Sequence, residues 1–152
     1  MVINSTLCYL IKDNKVLLQR KSNELFGGGK WNGPGGKLKE NEDPQECAVR
    51  EILEETNIKI SNPEKRGFLK FFKGNELFIA CHIFVTNEFE GEPRSGREGI
   101  VDWFIFNELP FEKMWPDDKV WMPLMLQGKN FEGEFYFDDN LKELLEYKIN
   151  VI

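Results

Sequence analysis

Positions 27–36 read GGGKWNGPGG, six glycines and one proline in ten residues. So much backbone freedom suits neither helix nor strand and predicts a loop. The segment that follows has the opposite character. Asp43 is a good N-cap, Pro44 fits the first helical position, and Glu46 stands at the capping-box spacing from Asp43. Ala48, Val49, Ile52, Leu53 and Thr56 recur at helical period, so a helix over 44–56 with that apolar face is predicted. Asn57 suits a left-handed residue just past its end.

That helix carries Glu51, Glu54 and Glu55. At 100° per residue the three fall within about a 100° arc, apart from the apolar face. Like charges three and four apart destabilise a helix by roughly 0.2–0.5 kcal/mol per pair. The last turn also disfavours anions through the helix dipole. Local stability therefore does not favour the arrangement. Two readings remain: a solvated acidic face with Arg50 as counter-ion, or a site for a hard divalent cation, Mg²⁺ or Mn²⁺, that needs several carboxylate oxygens. The preceding glycines would let backbone N–H groups or a phosphate come close.

The rest of the chain places these features in an α+β frame. Strands are expected at 2–11 and 15–20, joined by Lys12-Asp13-Asn14, and at 66–73, 77–86, 101–106, 131–137 and about 144–151. A second, weaker helix is expected over 117–127, interrupted or started near Pro123. At 152 residues, without a linker or repeat, the chain reads as one domain over 1–152. A net charge of −6 argues against coating a nucleic acid polymer, though not against a small anionic substrate bridged by a cation. Three scattered cysteines and one histidine give neither a zinc site nor a Ser-His-Asp triad, and suit a reducing cytoplasm. No apolar run approaches the length of a membrane span, and no secretory leader is evident. Cys47 is read as a small buried apolar residue.

Gly36, Glu42 and the run Arg50-Glu51-Ile52-Leu53-Glu54-Glu55-Thr56-Asn57-Ile58 resemble the Nudix box, GX5EX7REUXEEXGU. The one departure is Asn57 in place of the late glycine, and asparagine is the next most tolerant residue of a left-handed backbone. The resemblance implies an α/β/α sandwich around a mixed sheet. It also implies metal-dependent hydrolysis of a nucleoside diphosphate linked to another group. Glu51, Glu54 and Glu55 would then hold Mg²⁺, with Gly35 at the metal through its backbone, Gly36 beside the substrate, and Arg50 orienting a glutamate.

The substrate has to be read outside the box. Positions 114–118, MWPDD, are either a surface turn or a purine site, with a ring to stack on and two adjacent acids able to share a proton. WNGPGGK at 31–37 and PFEKMWPDD at 110–118 resemble the MutT-related branch of the Nudix family that hydrolyses 8-oxo-dGTP and so sanitises the nucleotide pool. Over that likeness, Asn32, Asp117 and Asp118 would read the oxopurine edge. Trp115 would stack on the base, Phe26 and Phe72 would line its pocket, and Lys21 would reach toward the nucleotide. Glu98, in SGREGIVDW, matches an acid that joins the metal or acts as base; an ordinary loop glutamate is the alternative. The loop KSNELFGG and Gly99 depart from the pattern and bear on substrate breadth. Members of this branch are often monomers. The competing functions are a Nudix pyrophosphatase for a dinucleotide or nucleotide sugar, and a non-catalytic nucleotide-binding module.

Overall fold

In the computed structural model, which describes residues 1–23, 28–96 and 99–152, the chain begins with a tight hairpin. Strand β1 (Ile3–Lys12) turns into β2 (Lys15–Lys21) through Asp13 and Asn14 alone. Both turn residues have positive φ, 51° and 64°. A two-residue turn of this hand matches the twist of the strands it joins, and Asp and Asn tolerate it.

The glycine-rich segment is more ordered than its composition predicts. It contains two short strands, β3 (Trp31–Asn32) and β4 (Gly35–Lys37). β4 pairs antiparallel with the start of β1, Gly35 lying opposite Leu7. A side chain at Gly35 would meet the Thr6 carbonyl oxygen at 1.9 Å, so this pairing demands glycine. Pairing with a distant strand overrides the local preference for a loop.

Helix α1 (Pro44–Thr56) has the predicted bounds and cap. The Glu46 amide donates to Asp43 at 2.8 Å and the Asp43 amide donates back to the Glu46 carboxylate at 3.1 Å. Asn57 closes the helix in the left-handed conformation, φ 65°, its N–H donating to the Leu53 carbonyl. There follow β5 (Lys59–Ile60), β6 (Glu64–Lys73), β7 (Glu76–Thr86), β8 (Phe89–Glu90) and β9 (Gly99–Ile105). Helix α2 (Asp118–Leu126) runs through Pro123 rather than breaking there, and β10 (Phe131–Phe137) and β11 (Leu144–Val151) close the chain.

The large sheet is mixed. Its order is β11-β10-β6-β7-β1, with β1–β7 and β6–β10 parallel. β1 then belongs to a second group through β2, which β9 and β3 flank. Direct β1–β2 pairing is confined to Ile11–Val16 and Lys12–Lys15, so the two strands part beyond the hairpin. Side chains of β1 alternate between two cores. Cys8 and Leu10 pack with Ala48 and Ile52 of α1, and Tyr9 packs with Trp121, Met122 and Met125 of α2. The helices thus cover opposite faces, the expected α/β/α sandwich of an α+β chain. Among the described residues no helix is long and apolar enough to cross a membrane.

Candidate functional site

On the α1 side, the carboxylates do not share one exposed face. Leu53, expected in the apolar stripe, is 49% exposed, while Glu55 is buried at 7%. The helix turns Cys47, Ala48, Ile52, Glu55 and Thr56 inward. Glu55 tolerates burial because the Gly35 N–H donates to its Oε1 at 2.8 Å and the Lys21 ammonium stands 4.0 Å from Oε2. A buried carboxylate needs such partners. Glu54 points outward and Glu51 lies between the two. A Cβ on Gly36 would fall 2.5 Å from the Glu51 carboxyl carbon, so the bare backbone of Gly36 makes the space that Glu51 fills.

Arg50 organises this side. Its Nε and Nη2 donate to both oxygens of Glu42, at 2.7 and 2.9 Å, a fork on a fork. The arginine holds the Glu42 carboxyl down at about 2, assisted by the Lys39 amide. Its Nη1 reaches Glu51 at 2.7 Å and Glu54 at 3.2 Å. Cys47 is buried beneath this network, its thiol pushed up by burial.

With Arg50 on two of the three acids, no group of three His, Cys, Asp or Glu side chains among the described residues is gathered closely enough to hold a metal ion. The donor set nonetheless fits a hard cation. It consists of carboxylate oxygens alone, beside a glycine cradle that a Cβ would fill. Gly35 stands beside this set, its N–H donating to Glu55 rather than offering a ligand.

On the α2 side lies a cavity of about 130 Å³. Asn32, Trp115, Asp117 and Asp118, predicted to act together, all line it. Trp121 Nε1–H donates to Asp117 at 2.8 Å, and the Trp115 amide donates to Asp118 at 3.2 Å. Burial pushes the Asp117 carboxyl up to about 6, against the pull of the Trp121 donor. Asp118 is pushed well above the ordinary carboxylate range, by burial first and by the charge of Asp117 second. Two buried acids at this spacing keep a proton between them near neutral pH. The Asn32 carboxamide oxygen accepts from Gly33 N–H at 2.9 Å and from the Tyr9 hydroxyl at 3.3 Å, so Asn32 offers its NH₂ to the cavity. Trp115 stands edge-on to Phe137, and Lys30 places its ammonium 5.2 Å from the Trp115 ring centre.

Of the two adjacent phenylalanines of β6, Phe71 and not Phe72 lines the cavity. Phe72 is stacked on Tyr136, ring centres 4.5 Å apart, on the other face of β6. Side chains of a strand alternate, so a one-residue error moves a ring to the wrong side. Phe26 and Glu98 lie outside the described residues. Sequence reasoning passed over Phe71, Cys81 and Phe137 as cavity residues and Trp121 as the donor to Asp117. The last had a signal, since Trp121 is four residues from Asp117 in the predicted helix. A second cleft of about 310 Å³ shares Ser5, Leu7, Asn32 and Trp115 with the cavity and extends to Lys21, Gly35 and Gly36.

The sandwich thus sets a cleft, whose Gly35 and Gly36 abut the glutamates of α1, beside a cavity that holds two buried acids, the arrangement of a small-molecule site. Residues 2–125 match the NUDIX domain family. The chain is 39% identical over 148 residues to the oxidized purine nucleoside triphosphate hydrolase of Danio rerio, covering 97% of this chain and 94% of that one. With its Mus musculus counterpart it is 37% identical over the same spans. A mutator MutT protein from Bacillus halodurans is similar in structure, with a TM-score of 0.87, 28% identity and 97% of each chain covered. The chain belongs to the Nudix family.

Proposed function

We propose that this protein hydrolyses oxidised purine nucleoside triphosphates, 8-oxo-dGTP foremost, to the monophosphate and pyrophosphate, and so sanitises the nucleotide pool. The observation that carries this reading is the continuity of the two clefts through Asn32 and Trp115. A base held by the buried acids then has its phosphates on the α1 side. The relatives named for oxidised purine nucleotides support the same reading.

In the base cavity, Trp115 stacks on the purine. Asn32 donates from its NH₂, Asp118 donates as the protonated acid, and Asp117 accepts. Oxidation at C8 turns purine N7 from an acceptor into an N–H donor, and a cavity able both to donate and to accept is suited to that change. In the cleft, Lys21 reaches the phosphates, and Glu51, Glu54 and Glu55 hold Mg²⁺, with Mn²⁺ the natural substitute. When bound, the ion polarises phosphoryl oxygens and lowers the pKa of a water. Arg50 keeps Glu51 and Glu54 aimed from its anchor on Glu42. Glu98 supplies a further carboxylate as ligand or base. The chain works as one domain over 1–152, as a monomer in the cytoplasm, on a small nucleotide.

The test is steady-state hydrolysis with Mg²⁺ of 8-oxo-dGTP and dGTP at equal low concentration, with the phosphate product identified. A large preference for the oxidised base with release of pyrophosphate is expected. Hydrolysis without that preference would overturn the base-reading roles and leave the chemistry.

A further inference from the structure

Gln19 is fully buried, yet neither its Oε1 nor its Nε2 has a hydrogen-bond partner. A free carboxamide in a core is disfavoured, because an apolar side chain of the same shape has no hydration bonds to lose. Its place in the fold suggests what keeps it there. On β2, Val16 and Leu18 face the α2 core, whereas Leu17 belongs to the α1 core with Ile52. Strand alternation puts Gln19 on the α1 side with Leu17 and Lys21. Lys21, the next side chain on that face, stands 4.0 Å from Glu55. Along the α1 face of β2, Gln19 therefore lies between Leu17 of the apolar floor and Lys21 of the Lys21–Glu55 pair.

We infer that Gln19 is a positioning residue of the hydrolytic cleft, its carboxamide orienting the Glu55 carboxylate through one shared buried water. Buried waters bridge polar groups that lack protein partners, and about three bonds per water are usual. Here the carboxamide can donate to the water and the water can donate to Glu55, which leaves the Gly35 amide bond on Oε1 in place. The inference rests on the hydrolysis proposed above, in which Glu55 takes part.

The test compares wild type, Gln19→Met and Gln19→Asn in the full chain, by thermal melting without metal and by kcat and KM on 8-oxo-dGTP with Mg²⁺. Methionine is close to isosteric and lacks the amide. If the carboxamide serves catalysis, Q19M melts as high as wild type or about 2–4 °C higher. Its kcat falls roughly 10–100-fold, the usual loss when a group supporting a catalytic ligand is removed, while KM changes little. Q19N keeps an amide at the cost of a cavity, so it melts below Q19M yet turns over faster. That inverse order of stability and rate is what a merely structural residue would not produce. Unchanged kcat in Q19M would overturn the inference, as would rate and melting temperature falling together in Q19M. Wild-type protein that hydrolysed no nucleotide would instead sink the hydrolysis reading, and Gln19's role with it.

Discussion

Asp117→Asn should make the protein more stable at neutral pH than at acid pH, relative to wild type. Asp117 is 3% exposed and its carboxyl titrates near 6, against an ordinary value of 3.8. Because the folded-state value is the higher, the folded protein binds the proton more tightly than the unfolded chain. The stability that this proton brings is complete below about pH 4 and is lost as pH rises through 6. The difference between the two values amounts to about 3 kcal/mol, at 1.36 kcal/mol per pH unit. Asparagine stays neutral throughout, and its carboxamide oxygen can still accept from Trp121 Nε1–H, so the 2.8 Å contact has a replacement. The variant's stability relative to wild type should therefore rise by about 3 kcal/mol between about pH 3 and pH 8. In a domain of this length that is a change of roughly 6–12 °C in the difference between the two melting temperatures. Removing the Asp117 charge also relieves Asp118, which pushes in the same direction. Circular-dichroism melts of both proteins across this range measure it, and taking the difference cancels the other titrating groups. A difference that stayed flat or narrowed with rising pH would refute the buried, proton-holding pair.

The two adjacent glycines should separate folding from turnover. Gly36→Ala displaces the end of the Glu51 side chain, whose carboxyl carbon lies 2.5 Å from the added Cβ, and with it the Arg50 contact, so melting should shift by about 1 kcal/mol while kcat falls. Gly35→Ala meets the Thr6 backbone and should cost about 1–3 kcal/mol or more, visible as a lowered melting temperature. Asp118→Asn should reduce the preference for 8-oxo-dGTP over dGTP by roughly 2–10-fold, the scale of one neutral hydrogen bond. Glu55→Gln should abolish turnover of both nucleotides in the same assay. An unchanged preference in the first variant, or residual turnover near wild type in the second, would remove that residue from its role.

What the sequence made legible was what neighbouring residues decide among themselves. Asp43, Pro44 and Glu46 specify the start of α1, and Asn57 its end, without help from the rest of the chain. The adjacent acids of MWPDD announced a polar pocket, and Asn32, Trp115, Asp117 and Asp118 do meet in one cavity. What stayed hidden depends on partners far along the chain. β4 exists because β1 offers it an edge, and only the Thr6 carbonyl explains why Gly35 is glycine. Helical periodicity gave the width of the buried stripe of α1 but not its edge, which Gly35 and Lys21 move from Leu53 to Glu55. The choice between Phe71 and Phe72 turns on strand parity, and β6 carries a register shift against β7 at that point.

The parting of β1 from β2 explains why one chain can hold both halves of the site. Ser5, Leu7 and Tyr9 face the α2 side, where the acids lie, while Thr6, Cys8 and Leu10 face α1 and its glutamates. A single strand thus sets the spacing between the base cavity and the carboxylates, and the gap beside it is bridged by Asn32 and Gly35. Groups on opposite sides of a sheet touch different neighbours, so substitutions in each set should act almost independently. Base preference should therefore change with Asp118 while the chemistry persists, and the chemistry should vanish with Glu55 while the base still binds. An equal loss of nucleotide binding in both variants would mean that β1 transmits strain between the two sides instead of insulating them.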